Sequence, residues 1–414
     1  MIEPAFSPAG ISASLNLPVL EEHVTDAAFL WHLRERAIRA PHYKLSQLAL
    51  LDGRVIAHLE GLRAAGAGGI DQARSGLREL DASTLFVMAY LAFRFQDRQA
   101  IRDVMAIALS DAALLDATVE ALAWQPLEAL EETLSVLSRS ARPEYRRMAL
   151  AVYAAHRSDP GIRVERAADD SDSALRACAL RAIGELGRLD LAEPLRRGLS
   201  DPELPCRIWA SWSLALLGEP HAPQILFEQA GRDPQLSRVA TEMAMRTAEP
   251  AWGRQLIREL CADDDTLRLA VVAAGSFGDA SVVPWLLELT ARPEVARPAA
   301  EAFAMLTGAE LELAALKRDA PQDAPPSHVE DEELRWPNPD GLRRWWSAER
   351  ARFQSGVLYI AGQPVSVGGA LHVLRRGYQR QRRGAAIALA HLRRGEVLVS
   401  TVERADWQRL RLPS

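Results

Sequence analysis

The sequence predicts an all-α fold, an α-α superhelix of stacked helix pairs, with a small C-terminal element that contains a short β-hairpin. Three observations predict the stack. Six arginines, Arg146, Arg176, Arg207, Arg238, Arg268 and Arg297, recur at intervals of 30, 31, 31, 30 and 29 residues. A period of this length marks a solenoid, whose units each bury their apolar face only against their neighbours. A glycine keeps phase ten or eleven residues behind four of these arginines, at Gly187, Gly218, Gly278 and Gly308, with Glu249 in the same place behind Arg238. Between arginine and glycine lie alanine- and leucine-rich runs such as Ala177 to Leu186 and Ala299 to Leu306, apolar at three- and four-residue spacing. They read as amphipathic helices of about three turns, closed by a residue in the left-handed conformation.

A second helix follows each of these. In three units it starts around a proline, as in Ala192–Leu199, Ala222–Ala230 and Val282–Thr290. Proline is tolerated there because the N–H it lacks has no partner in a helix's first turn. Small residues let the arginine-bearing helices approach closely, and leucines fill the space between units. Aspartates keep step as well: Asp170, Asp201, Asp233 and Asp263 precede Arg176, Arg207, Arg238 and Arg268 by six, six, five and five residues. A carboxylate in the turn can cap the next helix and reach a guanidinium of its own or an adjacent unit. This ladder is either structural glue or a row of arginines that reads a ligand.

Four regions follow along the chain. Residues 1–80 hold a proline-bearing arm and two capping helices, Glu21 to Arg39 and Leu45 to Ala64, then a flexible Gly66–Gly69 stretch. Residues 81–318 hold the repeat array, with weaker copies at Leu85–Phe95, Leu114–Trp124 and Tyr145–Ala155 that lack the Asp/Arg pair. Residues 319–335 form a linker with Pro321, Pro325, Pro326 and the acidic run Glu330–Glu333. Residues 336–414 form a basic helical element: a turn and helix at Trp336–Trp346, a hairpin at Gly356–Ser366, then helices at Gly369–Arg376 and Gln379–Arg393.

The units Asp170–Gly187, Asp201–Gly218 and Asp263–Gly278 resemble HEAT repeats of the short, phycobilisome-lyase-like kind, with the turn Asp and helix Arg in matching places. The resemblance implies a right-handed superhelix with the arginine-bearing helices on its concave side. The segments Leu50–Leu62, Trp336–Trp346 and Gly377–Ala390 make nearly the whole chain similar to an uncharacterised bacterial HEAT-repeat family encoded near type VI secretion genes. That likeness implies a cytoplasmic accessory role and brings no catalytic residues with it.

Composition narrows the function classes. Of 49 basic residues only Lys44 and Lys317 are lysine, which reads as a GC-rich genome. Fourteen arginines against four acids give residues 341–414 a charge of +10, and the total of −6 leaves −16 for residues 1–340. The basic tail either docks on its own acidic array or binds an anionic partner through Arg380, Arg382 and Arg383. Cys178, Cys206 and Cys261 have no metal-ligand spacing and read as small buried hydrophobes in a reducing compartment. A basic start, a signal-peptide core and an 18-residue apolar run are all missing from the sequence, so no membrane segment is expected.

Nine histidines form neither HxxxH nor HExxH, and no P-loop, nucleophile elbow or dinucleotide-binding glycine motif occurs. No catalytic residue, cofactor or metal is therefore expected. The repeat column through Trp212 holds Arg181, Met243, Ala273 and Ala302. Arg181, Trp212 and Met243 form either an interface strip on the inner surface or part of the core. Trp345 and Trp346 must diverge, so at least one packs inward. The reading is a non-enzymatic protein-interaction scaffold or adaptor with protein partners, for which the resemblance implies a role accessory to type VI secretion. The alternatives are a HEAT-like nucleic-acid-binding protein or DNA glycosylase, which an acidic array disfavours, and a bilin-lyase-like chaperone.

Overall fold

A computed structural model describes residues 16–77, 81–231, 234–322, 324–326 and 328–412. Most of the expected N-terminal arm, at 1–15, and the ladder residue Asp233 lie outside the described residues. The fold is all-α: 22 α-helices and one two-stranded antiparallel sheet among the described residues. The chain divides into two compact units, Met1–Leu33 with Leu51–Gln125, and Arg34–Leu50 with Pro126–Ser414.

The helices that enter the first unit are α1 (Leu17–Ala37), α2 (Leu45–Ala64), α3 (Ala67–Gly76), α4 (Ala82–Phe95), α5 (Arg98–Ala108) and α6 (Ala112–Ala123). The stretch expected to be flexible at Gly66–Gly69 instead opens α3, and Gly69 is needed there because a Cβ would come within 2.1 Å of the Leu62 carbonyl oxygen. Side chains of Asp81, Asp97 and Asp111 accept from backbone N–H groups at the starts of α4, α5 and α6, satisfying donors that a helix leaves open. Helix α4 is buried on every side from Thr84 to Phe93, and Phe86 stacks on Trp31 with ring centroids 4.7 Å apart while Trp124 meets it edge-on.

The second unit carries the thirty-residue period. After α7 (Glu131–Ser138) the helices alternate: α8 (Pro143–Ala155), α9 (Ile162–Ala168), α10 (Ser173–Glu185), α11 (Ala192–Gly198), α12 (Leu204–Leu217), α13 (Ala222–Ala230), α14 (Pro234–Thr247), α15 (Pro250–Leu260), α16 (Leu267–Phe277), α17 (Val283–Leu289) and α18 (Ala296–Thr307). The even-numbered helices bear the arginines and pack on one another in chain order, forming one layer; the odd-numbered ones cover its other side. Close approach depends on small residues, since a Cβ at Gly275 of α16 would lie 2.7 Å from Ala302 Cα of α18. Gly187, Gly218, Gly278 and Gly308 end their helices at φ of +68°, +87°, +84° and +76°, a region that side chains disfavour. Where Glu249 replaces glycine, α14 stops at Thr247 and the chain turns directly into Pro250 at the start of α15.

The C-terminal part comprises α19 (Pro339–Glu349), β1 (Tyr359–Ile360), β2 (Gln363–Pro364), α20 (Val367–Arg376), α21 (Gln379–Leu392) and α22 (Ala405–Arg411). Tyr359 pairs with Pro364 and Ile360 with Gln363 in the short hairpin. Trp345 and Trp346 both flank Phe303, at 5.4 and 6.4 Å between ring centroids. All three cysteines are free thiols; Cys206 is buried, while Cys178 and Cys261 are only half-buried.

Candidate functional site

The arginine column divides into two sets. In the first three units each arginine clasps its own turn: Arg146 donates to the carbonyls of Ser140 and Ala141, Arg176 to those of Asp170 and Ser171, and Arg207 to those of Asp201 and Pro202, at 2.7–3.0 Å. The same guanidinium reaches into the next unit, so that Arg146 meets Asp170 at 2.7 Å and Arg176 grips Asp201 with two bonds of 3.0 Å. Asp170 and Asp201 also accept from the N–H two residues on, which braces the turn rather than capping the helix; Asp172 caps α10. Burial would raise both carboxyls, but these hydrogen bonds and the facing arginines hold them below the usual range.

From Arg238 onward the partners change. Asp263 still accepts from the N–H two residues on, that of Asp265, but Arg268 takes both carboxylate oxygens of Asp331 in the returning linker. Arg297 donates to the Asp331 carbonyl at 2.9 Å and lies over the Trp336 ring, while Glu330 sits 3.7 and 3.8 Å from Arg238 and Arg268. Arg238 further pairs with Glu242 at 3.1 Å and Glu301 at 3.0 Å.

The C-terminal element lies along the other ends of the arginine-bearing helices. Backbone N–H groups of Tyr359, Ala361, Gly362 and Leu398 donate to the carbonyls of Gly278, Met305, Leu306 and Glu185 at 2.7–2.9 Å, satisfying acceptors that helix ends leave open. At Gly278 and Gly308 a Cβ would strike the carbonyl oxygens of Tyr359 and Ala361 at 2.1 and 2.5 Å. The glycine column therefore serves twice, as helix terminator and as a track for this segment. Helix α21 rests on α12 and α14 and shares one hydrophobic cluster with α10 and α12.

That placement corrects the surface reading of the strip. Met243 is wholly buried and Trp212 is 7% exposed, because both belong to the core on which α20 and α21 sit. Of the three, only Arg181 reaches solvent, paired with Glu185 at 2.9 Å and lying over the Trp209 ring. The basic trio at the start of α21 separates likewise. Arg380 bonds to Glu301 and to the Arg39 carbonyl. Arg382 is fully buried and donates to Leu374 O, Gln379 Oε1 and Gln408 Oε1, and with no carboxylate beside it burial lowers its pKa to about 10. Arg383 alone is exposed. Glu301 thus lies buried between Arg380 and Arg238, whose charges hold its carboxyl below the usual range against the effect of burial. Beneath Gly384 of α21, Arg246 donates to Gly275 O, and its Nε and Nη1 have no partner among the described residues.

A wide cleft lies at the other end of this unit. Helix α9 packs on α10 and barely touches α8, leaving a cleft of about 580 Å³ between the ends of α7, α8 and α9. Its apolar walls include Leu150, Tyr153, Ile162 and Leu175, and its rim carries Arg139, Arg146, Arg163 and Arg166 against the single acid Asp170. Arg139 folds back on Ser135, and Arg146 is held by Asp170; Arg163 and Arg166 are exposed and pair with no carboxylate among the described residues. Sequence reasoning passed over this pair, although two arginines three residues apart on one short helix were a readable sign. Among the described residues no three His, Cys, Asp or Glu side chains converge as a metal site, and no helix is long and apolar enough to cross a membrane.

Residues 162–246, from α9 to α14, match the family model of HEAT repeats. The match covers the Arg176–Asp201 rung and the helix-ending Gly187 and Gly218, and it supports a HEAT-repeat family for the chain. No curated protein matches the sequence.

Proposed function

We propose that the chain is a non-enzymatic protein-interaction scaffold or adaptor, whose work is to hold segments of other proteins against its helix ends and arginine column. HEAT repeats are commonly interaction scaffolds, and the observation that carries the reading here is the seating of the chain's own linker and hairpin. An acidic segment that turns through a short 3-10 helix at Val329–Asp331 is gripped by side chains at one end of the helix layer, and a second segment by backbone pairing at the other. Such backbone-plus-carboxylate capture is a general mode of peptide recognition. The similarity to a bacterial family encoded near type VI secretion genes suggests secreted effector, spike or adaptor proteins as the partners.

The test is affinity capture with the full chain from a bacterium that encodes it, followed by mass spectrometry. A small set of proteins recovered at stoichiometric yield and lost at high salt supports the scaffold. Recovery of nucleic acid in place of protein, with tight DNA binding in a fluorescence titration at moderate salt, contradicts it and favours the glycosylase-like reading.

A further inference from the structure

We infer that the cleft between α7, α8 and α9 is a docking site for an acidic peptide segment of a partner protein, one that carries an aromatic or aliphatic side chain beside its carboxylates. Three observations bear on this. The volume, about 580 Å³, is that of a pocket able to enclose one or two large side chains. Its walls are apolar, with Leu150, Tyr153, Ile162 and Leu175, and Ile162 is exposed beside them. The rim is cationic: four guanidiniums surround one carboxylate, and that carboxylate is already held by Arg146. In a chain of net charge −6 a basic rim around an apolar cleft selects an anionic occupant.

The same unit displays what its arginines accept. At α16 and α18, Arg268 holds the Asp331 carboxylate, Arg297 takes the Asp331 carbonyl, and the Trp336 ring packs under the Arg297 guanidinium, 4.9 Å from the ring centroid. One segment thus supplies carboxylate, backbone oxygen and aromatic ring. The cleft offers the same three complements in a different arrangement, and no segment of the described chain fills it. Arg163 and Arg166, presented on one face of α9, take the carboxylates, and the cleft floor takes the ring.

The inference rests on the scaffold reading only in that a partner supplies the segment, and it is tested with a synthetic peptide, so its failure leaves the capture experiment to decide the function independently. The probe is a fluorescein-labelled peptide of the chain's own residues 328–337, added to the full-length protein and followed by anisotropy at two salt concentrations. Arg163→Gln with Arg166→Gln should weaken binding about tenfold or more, as should replacing the peptide's four acids by their amides. Arg268→Gln should leave the affinity within about twofold, and salt should weaken binding throughout. Arg163 and Arg166 are exposed and pair with no carboxylate among the described residues, Arg163 donating only to Pro160 O at 3.4 Å, so an unchanged thermal unfolding midpoint separates lost binding from lost folding. The inference is overturned if wild type does not bind, if the cleft variant binds as wild type does, or if only Arg268→Gln matters, since the peptide would then be exchanging with the linker. It is equally overturned if the amide peptide binds as well, or if a DNA oligonucleotide displaces the peptide at equal charge, which would make the cleft a general polyanion site.

Discussion

The first three arginines of the column and the last three occupy equivalent positions in equivalent helices, and they do different work. Arg146, Arg176 and Arg207 hold turns together within and between neighbouring units, whereas Arg238, Arg268 and Arg297 hold a segment that returns from beyond residue 318. Nothing in the arginines themselves sets the two groups apart. The difference lies in what comes back to meet them, so a repeat position specifies a capacity and the rest of the chain specifies its use.

The largest effect should come from the buried carboxylate that joins the two systems. Glu301→Gln leaves Arg238 and Arg380 facing each other without a shared counter-charge, and urea unfolding should register a loss of about 3 kcal/mol. Asp201→Asn removes a rung in the self-contained half and should cost about 1–2 kcal/mol. Equal losses would erase the distinction between the halves.

Two glycines sharpen it further. Gly278 and Gly161 both have positive φ, at +84° and +65°, but a Cβ at Gly278 would lie 2.1 Å from the Tyr359 carbonyl oxygen while one at Gly161 would meet nothing within 4 Å. Gly161→Ala should cost about 1 kcal/mol of backbone strain, and Gly278→Ala about 3 kcal/mol because the hairpin must also lift.

A further effect concerns pH. Burial raises the Glu403 carboxyl to about 7, in spite of Arg411 Nη1 at 2.7 Å. A carboxyl whose folded pKa lies above its unfolded value favours the folded state at low pH, and that contribution fades as the pH rises from about 4.3 to about 7. Glu403→Gln should flatten the stability profile across that window and raise stability at pH 8. The carboxylates with depressed values, Asp170, Asp201 and Glu301, act in the opposite sense: their contribution is present above the ordinary carboxyl range, about pH 4, and is lost as the pH falls through their folded values.

Much of this molecule was legible in the sequence because the signals were local. The arginine and glycine columns, the proline-started second helices and the short hairpin each depend on residues within one turn or one helix of each other. The docking was illegible for a physical reason: it uses backbone carbonyls at helix ends, which every sequence possesses. Trp212 and Met243 fall on the face of the layer that a regular array would leave bare, and the helix that buries them begins only at Gln379, 167 and 136 residues later. Asp331 stands 63 residues from Arg268, so the acidic run read as a linker and not as a ligand.

The most direct test of the docked arrangement is native-state hydrogen exchange at Tyr359, Ala361, Gly362 and Leu398, whose N–H groups donate to helix-end carbonyls of the repeat array. If the C-terminal element is part of the array's structure, these amides exchange only with the opening of the helices they cap, Leu398 at protection matching α10 and the other three at protection matching α16 and α18. Exchange at the rate of an exposed loop, with the helices still protected, would contradict it.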